Sequence, residues 1–219
     1  MNKAYLLIII VASCLLCSCS DDENAALSCL TAEMCDIYVS APKIAVNAVT
    51  DSDRQLSFDS QLSVPWATKP DSVYRAMLYY NSPITSLTVS PLYAERVLLL
   101  TPHPKSKAAE WSENADPMEV NSIWQAKNGK YLNLGISLKN GSTTDDSQYH
   151  SIGLVTDTII RSSAKAHHYY RVCHAQNDMP MHYTVRTYLS IPIASIPEGD
   201  TLTVSVPTDA GMKEMTVVK

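Results

Sequence analysis

Alternation of apolar and polar side chains in the C-terminal half limits the folds open to this chain more than any other feature. Within residues 131–138 the apolar side chains of Leu132, Leu134, Ile136 and Leu138 occur at every second position. Successive side chains in a strand point to opposite faces, so a period of two places these four on one face. The segment is therefore predicted to be a strand with one buried side.

The same pattern returns several times before the C-terminus. Strands are predicted at residues 151–160, 169–174, 182–193, 201–206 and 212–218, and Asp209-Ala210-Gly211 indicates a hairpin turn before the last of them. Six or seven short strands over about 100 residues, separated by turns, suggest a β-sandwich. No room remains for crossover helices, which excludes a parallel α/β sheet.

The preceding region, residues 36–116, is also predicted to be β but is less regular. Candidate strands lie at residues 37–39, 43–49, 55–62, 72–80, 84–89 and 95–100. About five strands in about 80 residues fit a small closed barrel, which leaves no free sheet edge. Glycine is absent before Gly129, and residues 105–117 are mostly polar. These two features predict a barrel domain at 36–116 and a sandwich domain at 117–219.

The first 18 residues have the organisation of a lipoprotein signal peptide. Lys3 supplies a positive charge, and residues 4–16 are almost entirely apolar but too few for a membrane-spanning helix, which needs about 20. Leu16-Cys17-Ser18-Cys19 resembles a lipobox, with a small residue directly before the acceptor cysteine. Cleavage before Cys19 would leave its thiol to carry the lipid, palmitate included, and several acyl chains give stable anchoring. The membrane is therefore an expected partner through the lipid on Cys19.

Residues 19–35 are predicted to form an acidic tether between the lipid and the folded body. Ser20 is followed by Asp21, Asp22 and Glu23, an arrangement that resembles a surface-export signal of lipoproteins. The alternative is a solvated spacer on a protein that faces the periplasm. An outer-membrane location with surface exposure is the favoured expectation.

The charge balance argues against a nucleic-acid partner. The formal net charge is −5, and the acidic tether supplies much of it, which leaves a mildly acidic body. The sequence shows neither a glycine-rich phosphate loop nor the basic, aromatic groove that single-stranded nucleic acid needs. No nucleic acid and no cofactor is therefore expected.

Three cysteines remain once Cys19 carries a lipid: Cys29, Cys35 and Cys173. Cys29 and Cys35 could form a disulfide only if a turn separates them. Six residues of continuous helix rise about 9 Å, beyond the roughly 7 Å that a disulfide can bridge. Whether these two pair is left open, and Cys173 is predicted to be a buried thiol in a strand.

Several segments resemble NigD-like lipoproteins. They are Asp-Pro-Met-Glu-Val-Asn-Ser-Ile-Trp at 116–124, Gly-Lys-Tyr-Leu-Asn-Leu at 129–134, Tyr-Arg-Val-Cys-His at 170–174, the Asn177-Asp178 turn and Gly-Asp-Thr-Leu-Thr at 199–203. The resemblance implies an OB-like N-terminal barrel and an immunoglobulin-like C-terminal sandwich behind a lipoprotein leader. It brings no established catalytic residues, and it implies an immunity or accessory role linked to a bacteriocin. The glycine-free barrel departs from the usual pattern.

Histidines suggest one candidate metal site. If strands 169–174 and 182–189 form a hairpin, His174 and His182 approach each other, and Asp178 lies in the loop between them. Imidazole and carboxylate ligands suit zinc or another transition metal. The spacing matches no known zinc signature, so a hydrogen-bonded or surface histidine cluster is the favoured reading.

Catalytic motifs are not found. The chain has no Gly-x-Ser-x-Gly nucleophile motif, and Cys173 and His174 are strand neighbours that would face opposite sides of a sheet. The acid pairs at 51 and 53 and at 145 and 146 lie in polar turns, where solvation or calcium binding would explain them. We therefore expect a protein without enzymatic activity.

Aromatic residues of the barrel region offer a candidate ligand site. Trp66 and Tyr79, with Tyr74, Tyr80 and Tyr93, could form a sugar-stacking platform, and the alternative for all of them is packing in the core or on a strand face. Trp124 is expected at the domain junction. The leading expectation is protein recognition or a structural role in the envelope, and the family resemblance adds an association with a bacteriocin. The alternative is an accessory carbohydrate-binding lipoprotein.

Overall fold

A computed structural model describes residues 30–81, 86–142, 149–162 and 165–219. The predicted signal peptide, Cys19, the acidic run at 21–23, Cys29 and the acid pair at 145 and 146 lie outside the described residues. Within the described ranges the protein contains fourteen strands and one 3-10 turn, Lys105–Lys107. The predicted all-β class is confirmed.

The N-terminal strands form a closed barrel in the order β1-β2-β3-β5-β4, in which β4 pairs back onto β1. This confirms the predicted five-stranded barrel. Its core is made by the inward-facing apolar side chains of all five strands, among them Ile37, Leu56, Leu78 and Tyr80. The strands are β1 Leu30–Ala41, β2 Ile44–Thr50, β3 Gln55–Ser63, β4 Ser72–Asn81 and β5 Thr88–Arg96.

Left-handed backbone at non-glycine residues explains how a barrel without glycine makes its turns. Lys43 between β1 and β2 has a φ of 67°, Asp53 between β2 and β3 a φ of 58°, and Asp71 before β4 a φ of 48°. Aspartate tolerates this region better than most residues, because its short side chain can hydrogen-bond locally. The missing glycines therefore do not prevent closure of the barrel.

The C-terminal strands form two packed sheets, which confirms the predicted sandwich. One sheet has the order β14-β13-β11-β10-β7 and the other β6-β12-β9-β8. The core between them contains Leu132, Leu134 and Ile136 from the alternating segment that the sequence singled out. The strands are β6 Leu98–Leu99, β7 Pro102–Pro104, β8 Glu119–Gln125, β9 Tyr131–Asn140, β10 Ser151–Ser162, β11 Lys165–Ala175, β12 Tyr183–Pro192, β13 Thr201–Thr208 and β14 Gly211–Val218.

The sheets divide earlier in the chain than the predicted boundary at residues 116 and 117. The barrel ends at Arg96, and the short strands β6 and β7 pair in parallel with β12 and β10 of the sandwich. The polar segment that follows packs Ala108 and Trp111 against Val155 and Cys173 of the sandwich. Such short pairings and a single tryptophan contact leave little trace in a periodic pattern, so local polarity suggested a later boundary.

The barrel also starts earlier than the predicted tether allows. Residues 30–35 belong to β1, and Cys35 is a fully buried free thiol in the barrel core. Burial raises the pKa of this thiol far above its usual value. In the part of the chain that the structure describes, no helix is long and apolar enough to cross a membrane.

Candidate functional site

The barrel rests on the outer face of the four-stranded sheet, and one arginine lies at the centre of this junction. Arg75 points outward from β4, yet only 2% of its side chain is exposed. Its guanidinium donates to the Ser190 hydroxyl at 3.0 Å, to the Asn133 amide oxygen at 3.1 Å, to the Asp51 carboxylate at 2.7 Å and to the Asp36 carboxylate at 3.4 Å. Arg75 therefore ties two barrel carboxylates to two strands of the sandwich.

The partners of Arg75 also bind one another. Asn133 donates to Asp51 at 2.8 Å, and Ser190 donates to the Asn133 oxygen at 2.7 Å. Tyr131 donates to Asp36 at 3.1 Å, and its ring lies 4.0 Å from the guanidinium carbon of Arg75. Burial and the neighbouring Asp36 raise the pKa of Tyr131 to about 12. A buried charge is tolerated when its hydrogen-bonding capacity is used in this way, so the network holds the two domains in one arrangement.

The acid pair at 51 and 53 belongs to this junction as well. Asp53 accepts hydrogen bonds from Lys130 at 3.1 Å and from the Asn128 amide at 3.2 Å, both in the turn between β8 and β9. These two hydrogen bonds hold the pKa of Asp53 below its usual value. Both carboxylates thus bind residues of the sandwich, an arrangement that differs from the solvated or calcium-binding turn suggested by the sequence.

Next to the polar network, the junction is apolar and aromatic. Met34, Met77 and Val97 form a small buried cluster, and Tyr79 of the barrel and Trp124 and Tyr188 of the sandwich pack against it. Trp124 therefore lies at the domain junction, where it was expected. The Trp124 and Tyr188 rings meet edge to face, with centroids 6.2 Å apart.

An exposed part of this aromatic group continues along β5. The Tyr79 and Tyr93 ring centroids are 5.9 Å apart, and Tyr93 is 58% exposed. Burial, with Glu95 as a second cause, raises the pKa of Tyr79. We call Tyr93, Tyr79, Tyr188 and Trp124 the junction strip. It presents aromatic and apolar surface from both domains side by side.

A cleft of about 290 Å³ lies beside the junction strip and shares Trp124 with it. Met34 and Met77 contribute to its walls, and Glu33 and Asp51 add carboxylates that are already bound to arginines. Glu33 also accepts a hydrogen bond from Tyr80 at 2.7 Å. Lys127 adds an exposed ammonium group to the lining. The cleft therefore extends the strip with apolar surface and one cation.

The two aromatic residues singled out by the sequence do not share a site. Trp66 packs on the barrel core, where its indole donates to the Ala94 carbonyl at 3.2 Å and its ring meets Tyr74 edge to face at 5.8 Å. Tyr79 points the other way, into the junction strip, and Tyr80 is buried inside the barrel. The structure therefore separates the members of the predicted platform.

The predicted hairpin that would join His174 and His182 is wrong. Strand β11, which contains His174, belongs to the five-stranded sheet, whereas β12, which follows His182, pairs with β9 in the other sheet. Adjacent strands in sequence often pair, but in a sandwich the chain also crosses between sheets, and the local pattern does not distinguish the two. His182 and Asp178 are exposed, and no group of three or more His, Cys, Asp or Glu residues in the described ranges is arranged to hold a metal.

His174 instead is buried and pairs with the half-buried His150. Its Nδ1 lies 2.9 Å from the Asp116 carbonyl oxygen, and its Nε2 lies 2.9 Å from Nδ1 of His150, whose ring stacks on it. Because a carbonyl only accepts, His174 carries its proton on Nδ1 when neutral, and His150 donates to its other nitrogen. Burial and His174 together lower the pKa of His150.

Cys173 lies on the other side of β11 from His174. Its thiol is 3.3 Å from the Ser112 carbonyl oxygen, and it packs with Ala108 and Val155. Burial raises the pKa of this thiol, which disfavours the reactive thiolate. Neither residue is positioned to activate the other.

Arg75, Asn133 and Ser190 were not identified from the sequence. Each is a polar residue at an outward strand position, and such positions normally face solvent. One signal was available: β4 has apolar Met77 on the same outward face as Arg75, which is unusual for a solvated face.

Comparisons with known proteins agree with this architecture. A family model described as the NigD-like C-terminal beta sandwich domain matches residues 101–218. A search of the curated proteins finds no match. A NigD-like immunity protein from Bacteroides caccae is 18% identical with a TM-score of 0.61, over 86% of this chain and 96% of that chain.

Two further solved structures share the fold. A protein of unknown function from Bacteroides vulgatus is 14% identical with a TM-score of 0.60, over 87% of this chain and 90% of that chain. A presumed lipoprotein from Bacteroides fragilis is 13% identical with a TM-score of 0.54, over 86% of this chain and 96% of that chain. Because the family model spans more than half of its length, this chain belongs to the NigD-like family.

Proposed function

We propose that this chain is a lipid-anchored recognition protein without enzymatic activity, and that its partner is another protein. The anchor is the lipid on Cys19, in an outer-membrane lipoprotein exposed at the cell surface. The junction strip carries the proposal. It combines exposed Tyr93 with half-buried Tyr79, Tyr188 and Trp124.

The chemistry of the strip suits a protein surface. Tyrosine and tryptophan are enriched among the residues that dominate protein–protein binding energy, since they contribute large contact area with few rotatable bonds. Contiguous exposed apolar surface on a folded protein often marks an interaction site. The Arg75 network supports this role, because it fixes the barrel half of the strip relative to the sandwich half before a partner arrives.

The roles of the polar residues support a function other than catalysis. Asp51, Asp53 and Arg75 join the two domains, and His174 is committed to a carbonyl and a second imidazole. The names of two structural relatives, an immunity protein and a presumed lipoprotein, fit a surface recognition role. A bacteriocin-related partner is the specific form of the proposal.

Site-specific photocrosslinking in the cells that make the protein tests the proposal. A photoreactive phenylalanine analogue replaces Tyr93 in one variant and Met212 in the matched control, which is 47% exposed on β14 in the sandwich. We expect one discrete protein adduct from position 93 and none of that mass from position 212. The adduct is then identified by mass spectrometry and made as a recombinant protein.

Direct binding completes the test. Truncation of an exposed aromatic contact in an interface costs about 2 kcal/mol, which corresponds to a Kd about 30-fold weaker for Tyr93→Ala. Met212→Ala should leave the Kd unchanged. Equal adducts at both positions, or a Kd that Tyr93→Ala does not alter, would refute recognition through the junction strip.

A further inference from the structure

A second cleft, larger than the one at the junction, opens at the sandwich edge formed by β6 and β7. Its volume is about 460 Å³. Its walls are β6, the beginning of β10 and the segment that carries Trp111. We call it the side cleft. It is within the size range of small-molecule sites.

Among the described residues, the lining of the side cleft contains no aspartate, glutamate, lysine or arginine. Its polar members are neutral amides and hydroxyls together with one imidazole, on Asn114, Asn177, Thr101, Ser151 and His103. A charged ligand entering such a cleft would lose hydration without gaining a counter-charge. The chemistry therefore selects an uncharged ligand.

Several of these polar groups have hydrogen-bonding capacity to spare. The side chains of Thr101, His103 and Asn114 make no hydrogen bond to any described residue. Asn177 donates to the Tyr149 carbonyl at 2.8 Å and to the Ser151 hydroxyl at 2.9 Å, which leaves its amide oxygen as an acceptor. The junction differs, since its amides and hydroxyls bind one another. Donors and acceptors thus remain available around the side cleft.

Trp111 supplies an aromatic surface among these groups. One edge of its indole covers Gly153 so closely that a Cβ there would overlap the ring, and His103 meets the ring edge to face at 6.0 Å. The side chain is only half-buried and lines the cleft. An aromatic face next to neutral donors and acceptors matches a sugar, which has an apolar face of C–H groups and a rim of hydroxyls.

The geometry points to the side cleft as a binding site for an uncharged sugar, such as one or two pyranose units of a neutral glycan. This inference goes beyond the proposed protein partner and does not depend on it. An extended peptide fits less well. A peptide that added as a strand would need a free edge of β10, but Leu154–Thr156 already pair with β7. Only three residues of β10 remain free beside the cleft, whereas strands are usually about five residues long.

A glycan array with neutral and acidic oligosaccharides, probed with the full-length chain in detergent, tests the inference. The best neutral disaccharide is then titrated by calorimetry into the wild type and three variants. Asn114→Ala removes an amide that no described residue uses, and Leu99→Arg adds a charge at a cleft position that is 45% exposed. Leu87→Arg is the matched control, because Leu87, directly before β5 of the barrel, is 55% exposed and lies outside both the side cleft and the junction strip.

We expect neutral glycans to bind and both cleft variants to weaken the Kd about ten-fold or more, as loss of one good polar contact would. Leu87→Arg should bind like the wild type. Melting temperatures establish that each variant is folded, and Asn114→Ala decides the matter alone if Leu99→Arg unfolds. Failure of every neutral glycan, preference for acidic glycans, capture of peptides at the cleft instead, or equal binding by wild type and Asn114→Ala would overturn the inference.

Discussion

Arg75 occupies an outward position on β4, where solvent would normally surround it, yet the four-stranded sheet covers it. The cost of removing a guanidinium from water is offset only while both carboxylates, the Asn133 amide and the Ser190 hydroxyl remain in place. Removal of one partner from this network therefore costs more free energy than the intact ion pair contributes. Loss of Arg75 would leave two carboxylates at the junction without their cation.

We expect Arg75→Ala to lower the free energy of unfolding by about 3–5 kcal/mol, the usual cost of removing one partner from a buried ion pair. Urea unfolding followed by tryptophan fluorescence measures this. Arg54→Ala is the matched control, because Arg54 pairs with Glu33 at 3.3 Å but is 39% exposed, and such pairs contribute about 0–1 kcal/mol. A similar loss in both variants would contradict the role given to Arg75.

Asp200 gives a prediction about pH. It accepts the Ala166 amide at 2.9 Å and lies 3.0 Å from His168, and these two contacts hold its pKa below the usual value. A lowered pKa means that the folded state favours the carboxylate. Its stabilising effect is full above the pKa of an unfolded-state aspartate, about 3.9, and disappears as pH falls through the lower folded-state pKa.

The melting temperature of Asp200→Asn should therefore lie below that of the wild type at pH 7, and the gap should narrow as the pH falls below about 4. Calorimetry across pH 7 to 3 measures the gap. Asp209→Asn, in the exposed turn before β14, serves as the control. A gap for Asp200→Asn that stays constant or widens in acid would exclude this carboxylate as the cause.

At the scale of strands, Gly153 shows how one residue permits a close approach. Trp111 lies over it on the outer face of β10, where any side chain would meet the indole ring. We expect Gly153→Ala to displace Trp111, shift its fluorescence and cost about 1–3 kcal/mol of unfolding free energy. When Trp111 is also replaced by alanine, Gly153→Ala should cost much less unfolding free energy than it does in the wild type. If the free-energy costs of the two substitutions are fully additive, a clash between residue 153 and Trp111 is excluded.

The period-two pattern of the sequence predicted where strands lie, but it did not predict which strands pair with each other. The alternating segments at 131–138 and 201–206 became β9 and β13, and the hairpin turn before β14 formed as predicted. His174 and His182 failed as a pair because the chain crosses between sheets after β11, and nothing in the local pattern records that crossing. Trp124 was expected at the domain junction, but the polar network there was not predicted, because Arg75 and Asn133 are distant in sequence and resemble ordinary solvent-facing residues.

At the scale of the whole molecule, the anchor can be tested apart from the fold. We expect Cys19→Ala to abolish metabolic labelling with alkynyl palmitate and to move the protein from the membrane fraction to the soluble fraction. Cys17→Ala, two residues away, should keep both label and location. Label retained in Cys19→Ala would refute the predicted acylation site, and protection of the wild type from protease added to intact cells would refute surface exposure.

The early start of β1 limits the distance between the folded domains and the lipid anchor. If Cys19 carries the lipid, only ten residues separate it from Leu30, a linker that could span at most about 40 Å if fully extended. Ala32, near the beginning of β1, pairs with Tyr79, so part of the junction strip lies close to the end of the barrel that this linker enters. A partner confined to the same membrane would then meet the strip at a high effective concentration, so that even a modest intrinsic affinity would yield substantial occupancy.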